Sequence, residues 1–386
     1  MPRGQRRSRR HAGQTASNGL YIGRFTIPLK LVFYISGHGY GHAVRDIEII
    51  KSLVKIHAEA EIHFRTRAPQ WLFAPLLGKR IFYHERELDF GVVQKNSFSA
   101  DKKATFQRYA ALVDQKENLI DRELAFLHSV QPDIILSDIT PFAFDAAEAY
   151  GKKAVAIGNF SWDWIYTPYL DKFPDYAWVV EDIRSSYVKA DRLWRIPFYG
   201  DMSAFPSIED VPLVGRKAQL PAQVVRERLG MAQKGAQKYV LLGLRMSDLA
   251  GVEWRGIEKM PLTFVAVSRD IRITNCLHVE EASLPFEDVL HACDAVLSKP
   301  GYSIVAEVLV NRTPIVYIPR SDFVEDAYLT AGLAHYAVCE ELSQPNFYAG
   351  NWRGAFERLF AKPPVWQEIR HDGAEVIAAN ILRHVN

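Results

Sequence analysis

Residues 36–45 read Ser-Gly-His-Gly-Tyr-Gly-His-Ala-Val-Arg, two histidines set among three glycines at alternate positions. Glycine lets the backbone turn sharply and come close to a ligand, so Gly39 and Gly41 suit a loop that cradles a small molecule. A histidine in such a turn can take a proton near neutral pH. His42 and His38 are therefore candidate general bases, although each could equally do no more than bond the turn or cap the helix that follows. The amides opening that helix favour an anion by about 0.3–1 kcal/mol. The spacing is not G-x-G-x-x-G and no G-K-[ST] follows, so neither a dinucleotide fingerprint nor a P-loop is present.

Two further stretches carry chemistry. Asp138 stands just past the apolar run 133–137, where a carboxylate could orient His42 and stabilise its cation as the third group of a triad does, or simply cap a helix near Pro141. After another apolar run comes Asn159-Phe160-Ser161-Trp162-Asp163-Trp164. Aromatic faces beside a carboxylate suit a sugar, which adds Asn159, Trp162 and Asp163 to Gly39, Gly41 and Arg45 as acceptor-side candidates; a hydrophobic plug is the alternative. Third, Ser298-Lys299-Pro300-Gly301-Tyr302-Ser303 opens another helix. There Gly301 permits close approach and the amides of Tyr302 and Ser303 would point at a diphosphate, with Glu307 one turn on able to accept both hydroxyls of a ribose. No D-x-D occurs in the chain, so no metal ligands are assigned, and helix dipoles with neutral donors are expected to hold the diphosphate.

The elements that must position these residues follow from hydrophobic pattern. Segment 30–36, KLVFYIS, is an apolar run ending at the glycine turn and reads as a buried parallel strand. Ile47, Ile50 and Val54 then recur at helical spacing, and 60–66 alternates as a strand. A long helical pattern covers 102–130, followed by strand 133–137, helix 143–150 and strand 153–158. The pattern weakens over 206–236, which contains Pro206, Pro212 and Pro221. A second series has strands at 239–243, 262–267, 295–298 and 314–318, a helix over 303–310 and a helical stretch over 365–384. Such alternation predicts an α/β chain with two doubly wound, Rossmann-like parallel-sheet domains facing across a cleft, and 386 residues suffice for two cores.

Composition excludes several classes. Hydrophobic residues make up 48% and charged residues 24%, and the net charge is +2, with five arginines in the first ten residues. The remaining body is slightly acidic, so no nucleic-acid face is expected. The basic leader reads as a disordered or over-long start, a basic arm for nucleic acid or lipid, or part of a transit peptide. Cys276, Cys293 and Cys339 show no metal or disulfide spacing and fit a reducing, cytoplasmic setting. No apolar run is long enough to span a membrane, which leaves peripheral contact open.

The C-terminal segment resembles the donor motif of GT-B glycosyltransferases that use nucleotide sugars: Pro285, Leu290, Gly301, Ser303, Glu307, Pro314 and Glu325-Asp326 fall in its order. Gly41-His42 and Asp138 stand where members of that superfamily carry a Gly-His loop and a later aspartate. More closely, GHGYGHAVR and NFSWDWIY resemble the GT-B-like N-terminal region fused to sugar kinases such as plant arabinokinase, and stand-alone bacterial relatives. Val44-Arg45 replaces the superfamily's proline, and Phe323-Val324-Glu325-Asp326 replaces its proline–aspartate–glutamine signature.

The resemblance implies a basic leader over 1–28, an acceptor domain over 29–205, a connection over 206–236, a nucleotide-sugar domain over 237–362 and a C-terminal helix within 363–386 that can pack back on the first domain. It implies that Gly301, Tyr302 and Ser303, with Gly243 and Ser298 at the ends of strands, hold the diphosphate. Glu307 holds the ribose, and Glu325 or Asp326 touches the transferred sugar. The expected activity is metal-independent, inverting transfer from a nucleotide sugar, UDP-linked, with no cofactor beyond that substrate. The acceptor is a small molecule, glycan or lipid-linked sugar. A nucleotide-sugar epimerase and a non-catalytic sugar-nucleotide-binding protein share the fold and stay open as alternatives.

Overall fold

The structure, a computed structural model, describes residues 28–385 apart from 97, 233–236, 268–270, 272, 274 and 281–282. Nearly all of the basic leader thus lies outside the described residues. The first sheet contains β1 (Lys30–Ile35), β2 (Glu61–Thr66) and β3 (Ile81–Glu85). A two-stranded hairpin, β4 (Gln94–Asn96) and β5 (Ser99–Ala100), follows outside it. The sheet resumes with β6 (Ile134–Asp138), β7 (Ala154–Gly158), β8 (Arg192–Arg195) and β9 (Ile208–Asp210). Its order is β3-β2-β1-β6-β7-β8-β9, parallel throughout.

A second sheet contains β10 (Lys238–Gly243), β11 (Leu262–Ala266), β12 (Cys276–His278), β13 (Ala295–Ser298), β14 (Ile315–Tyr317) and β15 (Cys339–Glu341). Its order is β12-β11-β10-β13-β14-β15, again all parallel. The central strands are buried on both faces, as their unbroken apolar runs require. Ligands in such sheets bind beyond the carboxyl ends of the strands, where the order reverses. Those points are β1/β6, with Ile35 opposite Asp138, and β10/β13, with Gly243 opposite Ser298.

The strands β3, β4, β5, β8, β12 and β15 are not read from the sequence pattern, and three further segments differ from it. The 102–130 stretch is two helices, Lys102–Val113 and Lys116–Val130, because the chain turns at Asp114–Gln115. This places Lys116 against Asp145 and Asp182. The 206–236 stretch contributes β9 to the edge of the first sheet and carries the helix Ala222–Arg228, which packs on the helix Phe286–Ala292 of the second lobe. The final helix is Gly373–His384 only. Pro363 and Pro364 cannot continue a helix, and Leu213 binds the backbone of Arg370 and Gly373 instead.

That last helix lies along the glycine-loop helix Gly41–Ile56, with Asn380 bonded to Glu209. One apolar cluster joins the two lobes. It runs from Leu31 and Ile49 through Val305 and Ala306 to Ile377 and Ile381. Among the described residues no helix is long and apolar enough to cross a membrane.

Candidate functional site

The glycine loop delivers His42 and Arg45 on the first turn of its helix, directly against the carboxyl end of β6. His42 Nδ1 lies 2.9 Å from Asp138 Oδ1, and an Arg45 NH2 group donates to the same oxygen. With Nδ1–H donated to Asp138, the free lone pair of His42 sits on Nε2. Burial alone would raise the Asp138 carboxyl. Arg45 and His42 outweigh it and hold Asp138 below the ordinary carboxylate range. Arg45 also reaches Asn159 Oδ1 at 3.3 Å.

The turn carrying Asp138 is strained. Ile139, the next residue, has φ of 52°, a conformation that a β-branched side chain strongly disfavours. Its carbonyl accepts from Tyr187 Oη at 2.7 Å, and Ser137 Oγ donates to the carbonyl of Thr140. Gly158 leaves the room: a Cβ there would stand 2.5 Å from Ile139 Cγ2. None of this was legible from residue type.

His38 takes another part. Its ring meets the edge of Trp162 and lies over Gly91, whose φ is +65° and where a Cβ would be 2.4 Å from the imidazole. Burial, then the charges of His42, Arg320 and Lys299, push His38 down to about 3, so it is neutral at neutral pH. Trp162 is itself buried and donates to Asp89 at 2.7 Å. Asp163 pairs with Arg184. These two residues form the floor beneath the loop rather than an exposed aromatic platform, which is the plug arrangement. Asp89 was missed by sequence reasoning. Burial raises its carboxyl to about 6 against the opposing bonds from Trp162, Ser36 and Gly91.

On the second sheet, Ser298 Oγ donates to the carbonyl of Gly243, and a Cβ at Gly243 would stand 3.1 Å from Ser298. These two residues close the β10/β13 pair tightly. Beyond them, Gly301 is the N-cap of the helix Tyr302–Asn311, and a Cβ on it would meet only open space. Glu307 is buried and accepts from Arg216 Nε at 2.6 Å.

Glu325 and Asp326 open the helix Glu325–Tyr336 and are clamped by Arg320, which also donates to the Pro300 carbonyl at 2.9 Å. Burial lifts the Asp326 carboxyl to about 6 in spite of that cation. Lys299 pairs with Asp248 at 3.2 Å. Arg320 and Lys299, neither singled out from sequence, therefore set cationic side chains around the turn that was expected to rely on neutral donors. Lys299 directly after the end of β13, and Arg320 three residues after the end of β14, were the available signal.

The two crevices face one another. A Cβ at Gly41 would lie 3.2 Å from Ser303 Oγ of the opposite lobe. The guanidinium of Arg45 stands over the Tyr302 ring at 5.1 Å, and that of Arg245 over the Tyr40 ring at 4.5 Å. His42, Asp138, Arg45 and Asn159 are thus brought together opposite Gly301, Tyr302 and Ser303, whereas Glu307 is turned to Arg216. Among the described residues no group of three His, Cys, Asp or Glu side chains is placed to hold a metal ion.

No protein-family profile matches the chain. Among curated proteins it is similar to L-arabinokinase of Arabidopsis thaliana, 30% identical over 372 residues that cover 92% of this chain and 34% of that one. The chain therefore spans about a third of the length of that relative. Similar solved structures include the glycotransferase of kitacinnamycin (15% identity, 93% of this chain and 95% of that one, TM-score 0.59). Arabidopsis thaliana UGT89C1 complexed with quercetin is also similar (15%, 93% and 94%, TM-score 0.58), and that protein has been solved with UDP as well. The calicheamicin glycosyltransferase CalG4 matches over the same shares at 15% identity and a TM-score of 0.55. The likeness is one of fold, two parallel sheets wound in the same way.

Proposed function

On the premise that this chain has the GT-B glycosyltransferase fold, we propose that it is an enzyme transferring a sugar from a UDP-linked donor to an acceptor hydroxyl by an inverting, metal-independent displacement. The observation that carries this reading is the His42–Asp138 pair at one switch point facing the Gly301 helix N-terminus at the other. In the proposed step, His42 Nε2 takes the acceptor O–H proton. The acceptor oxygen bonds to the anomeric carbon from the side opposite the diphosphate. The bond from that carbon to the diphosphate oxygen breaks with its electron pair, releasing the nucleoside diphosphate. Asp138, kept ionised by Arg45, stabilises the imidazolium that forms.

On the donor side the amides of Tyr302 and Ser303 meet the diphosphate, with Lys299 and Arg320 adding positive charge. Glu307, fixed by Arg216, is assigned the ribose, and Glu325 or Asp326 the transferred sugar. Gly39, Gly41, Arg45 and Asn159 line the acceptor side. The acceptor is left as a class: a hydroxyl compound small enough to enter the cleft.

The test combines thermal shift with a panel of nucleotide sugars and product detection with and without added acceptors. A ligand at 100 times its dissociation constant stabilises by about 2.7 kcal/mol, so donor binding is readily seen. Product that appears only with acceptor supports transfer. Conversion of the nucleotide sugar alone supports an epimerase, and binding without any turnover supports a sugar-nucleotide-binding protein.

A further inference from the structure

Behind the His42–Asp138 pair lies a second carboxyl group that the mechanism above does not use. Asp46, one residue past Arg45 on the glycine-loop helix, is fully buried. Neither of its oxygens receives an N–H or O–H, and Asp138 Oδ2 receives none either. The two carboxyl groups lie close enough to act on each other directly. The terminal nitrogens of Arg45 go to Asp138, His42 and Asn159, and its buried Nε is without a partner in this arrangement, so no donor meets Asp46. Two carboxyl groups this close cannot both ionise without severe cost. Asp138 is the one committed to the charged form, by Arg45 and His42.

We infer that Asp46 is a positioning residue, a neutral acid whose O–H donates to Asp138 Oδ2 and so fixes the carboxylate that orients His42. The inference rests on the proposed role of that pair, but its geometry is independent of which sugar is moved. The charges acting on Asp46 are those of Asp138 from β6 and Arg45 from its own helix; burial, then Asp138, raises its carboxyl well above the usual range. His42 acts through Asp138, and the Tyr302 ring of the opposite lobe covers the other face of Arg45. Asp138 thus receives His42 and Arg45 on one oxygen and Asp46 on the other, which leaves it no freedom to rotate away from the imidazole.

The decisive experiment is carbon NMR of the full chain labelled at aspartate Cγ, titrated from about pH 5 to 8. The expected result is a carboxyl resonance still in the protonated range after Asp89 and Asp326 have titrated, and lost in Asp46→Asn. If Asp46→Asn removes only an ionised carboxylate, the proton is not there and the inference is overturned; relaxation of Arg45 Nε onto Asp46 would give that result.

Kinetics supply the second arm. Asp46→Leu removes the donor and is expected to lower kcat by about tenfold or more with little change in KM, the pattern of an interaction made in the transition state. Asp46→Asn, whose amide N–H replaces the carboxyl O–H, is expected to restore most of it; equal loss in both variants would overturn the positioning role. A wild type without turnover would defeat the transfer reading, while the resonance would still decide the shared proton.

Discussion

At the β1/β6 crossing the chain presents His42, Arg45, Asp46 and Asp138, all buried and in contact. At the β10/β13 crossing it presents Gly243 and Ser298, closed on each other, and then an open turn at Gly301. Both crossings occupy the same place in the same topology. In the first, ionisable groups are desolvated together, so their protonation states are set by one another and a proton can be moved in a defined direction. In the second, cations are anchored to carboxylates at the edge, Lys299 to Asp248 and Arg320 to Asp326. The centre there is backbone and empty space, which suits a group that must enter and leave. The fold supplies two equivalent crevices, and in the proposed reading the side chains at the strand ends divide proton handling from anion holding.

Substitution can break this division. The largest effect is expected for His42→Ala: transfer falls by about 10²–10⁴-fold, the usual worth of a general base, with UDP affinity by calorimetry nearly unchanged. Equal loss of UDP binding would erase the distinction between the crevices. Next comes Arg320→Ala, which strands Glu325 and Asp326 without their cation. Removing one partner of a buried pair costs about 3–5 kcal/mol, read by urea denaturation, and the UDP-dependent thermal shift should disappear. Should transfer be lost while UDP binding persists, Arg320 belongs with the proton-handling side.

Gly158→Ala tests the strained turn under Asp138. The new methyl overlaps Ile139, so about 1–3 kcal/mol of stability is expected to be lost, with slower transfer and an intact UDP shift. Retained stability would mean that the turn is not what holds Asp138.

The smallest effect lies in pH dependence. Asp138 is depressed in the folded chain. Its contribution is present above the unfolded value, about 4, and is lost as pH falls through the folded value. Asp326 is raised to about 6. Its contribution is complete in acid and declines as pH rises from about 4 towards that value. Melting curves across this range should show Asp138→Asn removing the acid-side loss and Asp326→Asn flattening the decline above it.

Much of the site could be read in advance where chemistry is local. The glycine loop, the helix after Gly301 and the carboxylate at the end of β6 follow from strand runs and turn residues. The partnerships could not. Asp46 reads as an ordinary polar residue on a helix, and Arg320 as a loop cation, because nothing in the spacing tells which carboxylate each will meet. Trp162 and Asp163 read equally as a sugar platform or a plug, since aromatic residues beside an acid look alike whether they line a cleft or floor it. The 365–384 stretch has a helical pattern throughout, yet its first part is claimed by backbone bonds to Leu213.

The sequence by itself determined two wound parallel sheets and the turns after their central strands, because burial of parallel strands demands apolar runs ending in turn residues; where the strand order reverses came from the pairing of β1 with β6 and of β10 with β13. Only the tertiary structure decided which carboxyl group is buried beside Asp138, which cation braces the turn at Pro300 and which aromatic faces inward. Those outcomes depend on desolvation and charge between residues about ninety positions apart, as with Arg45 and Asp138, and no local pattern encodes them.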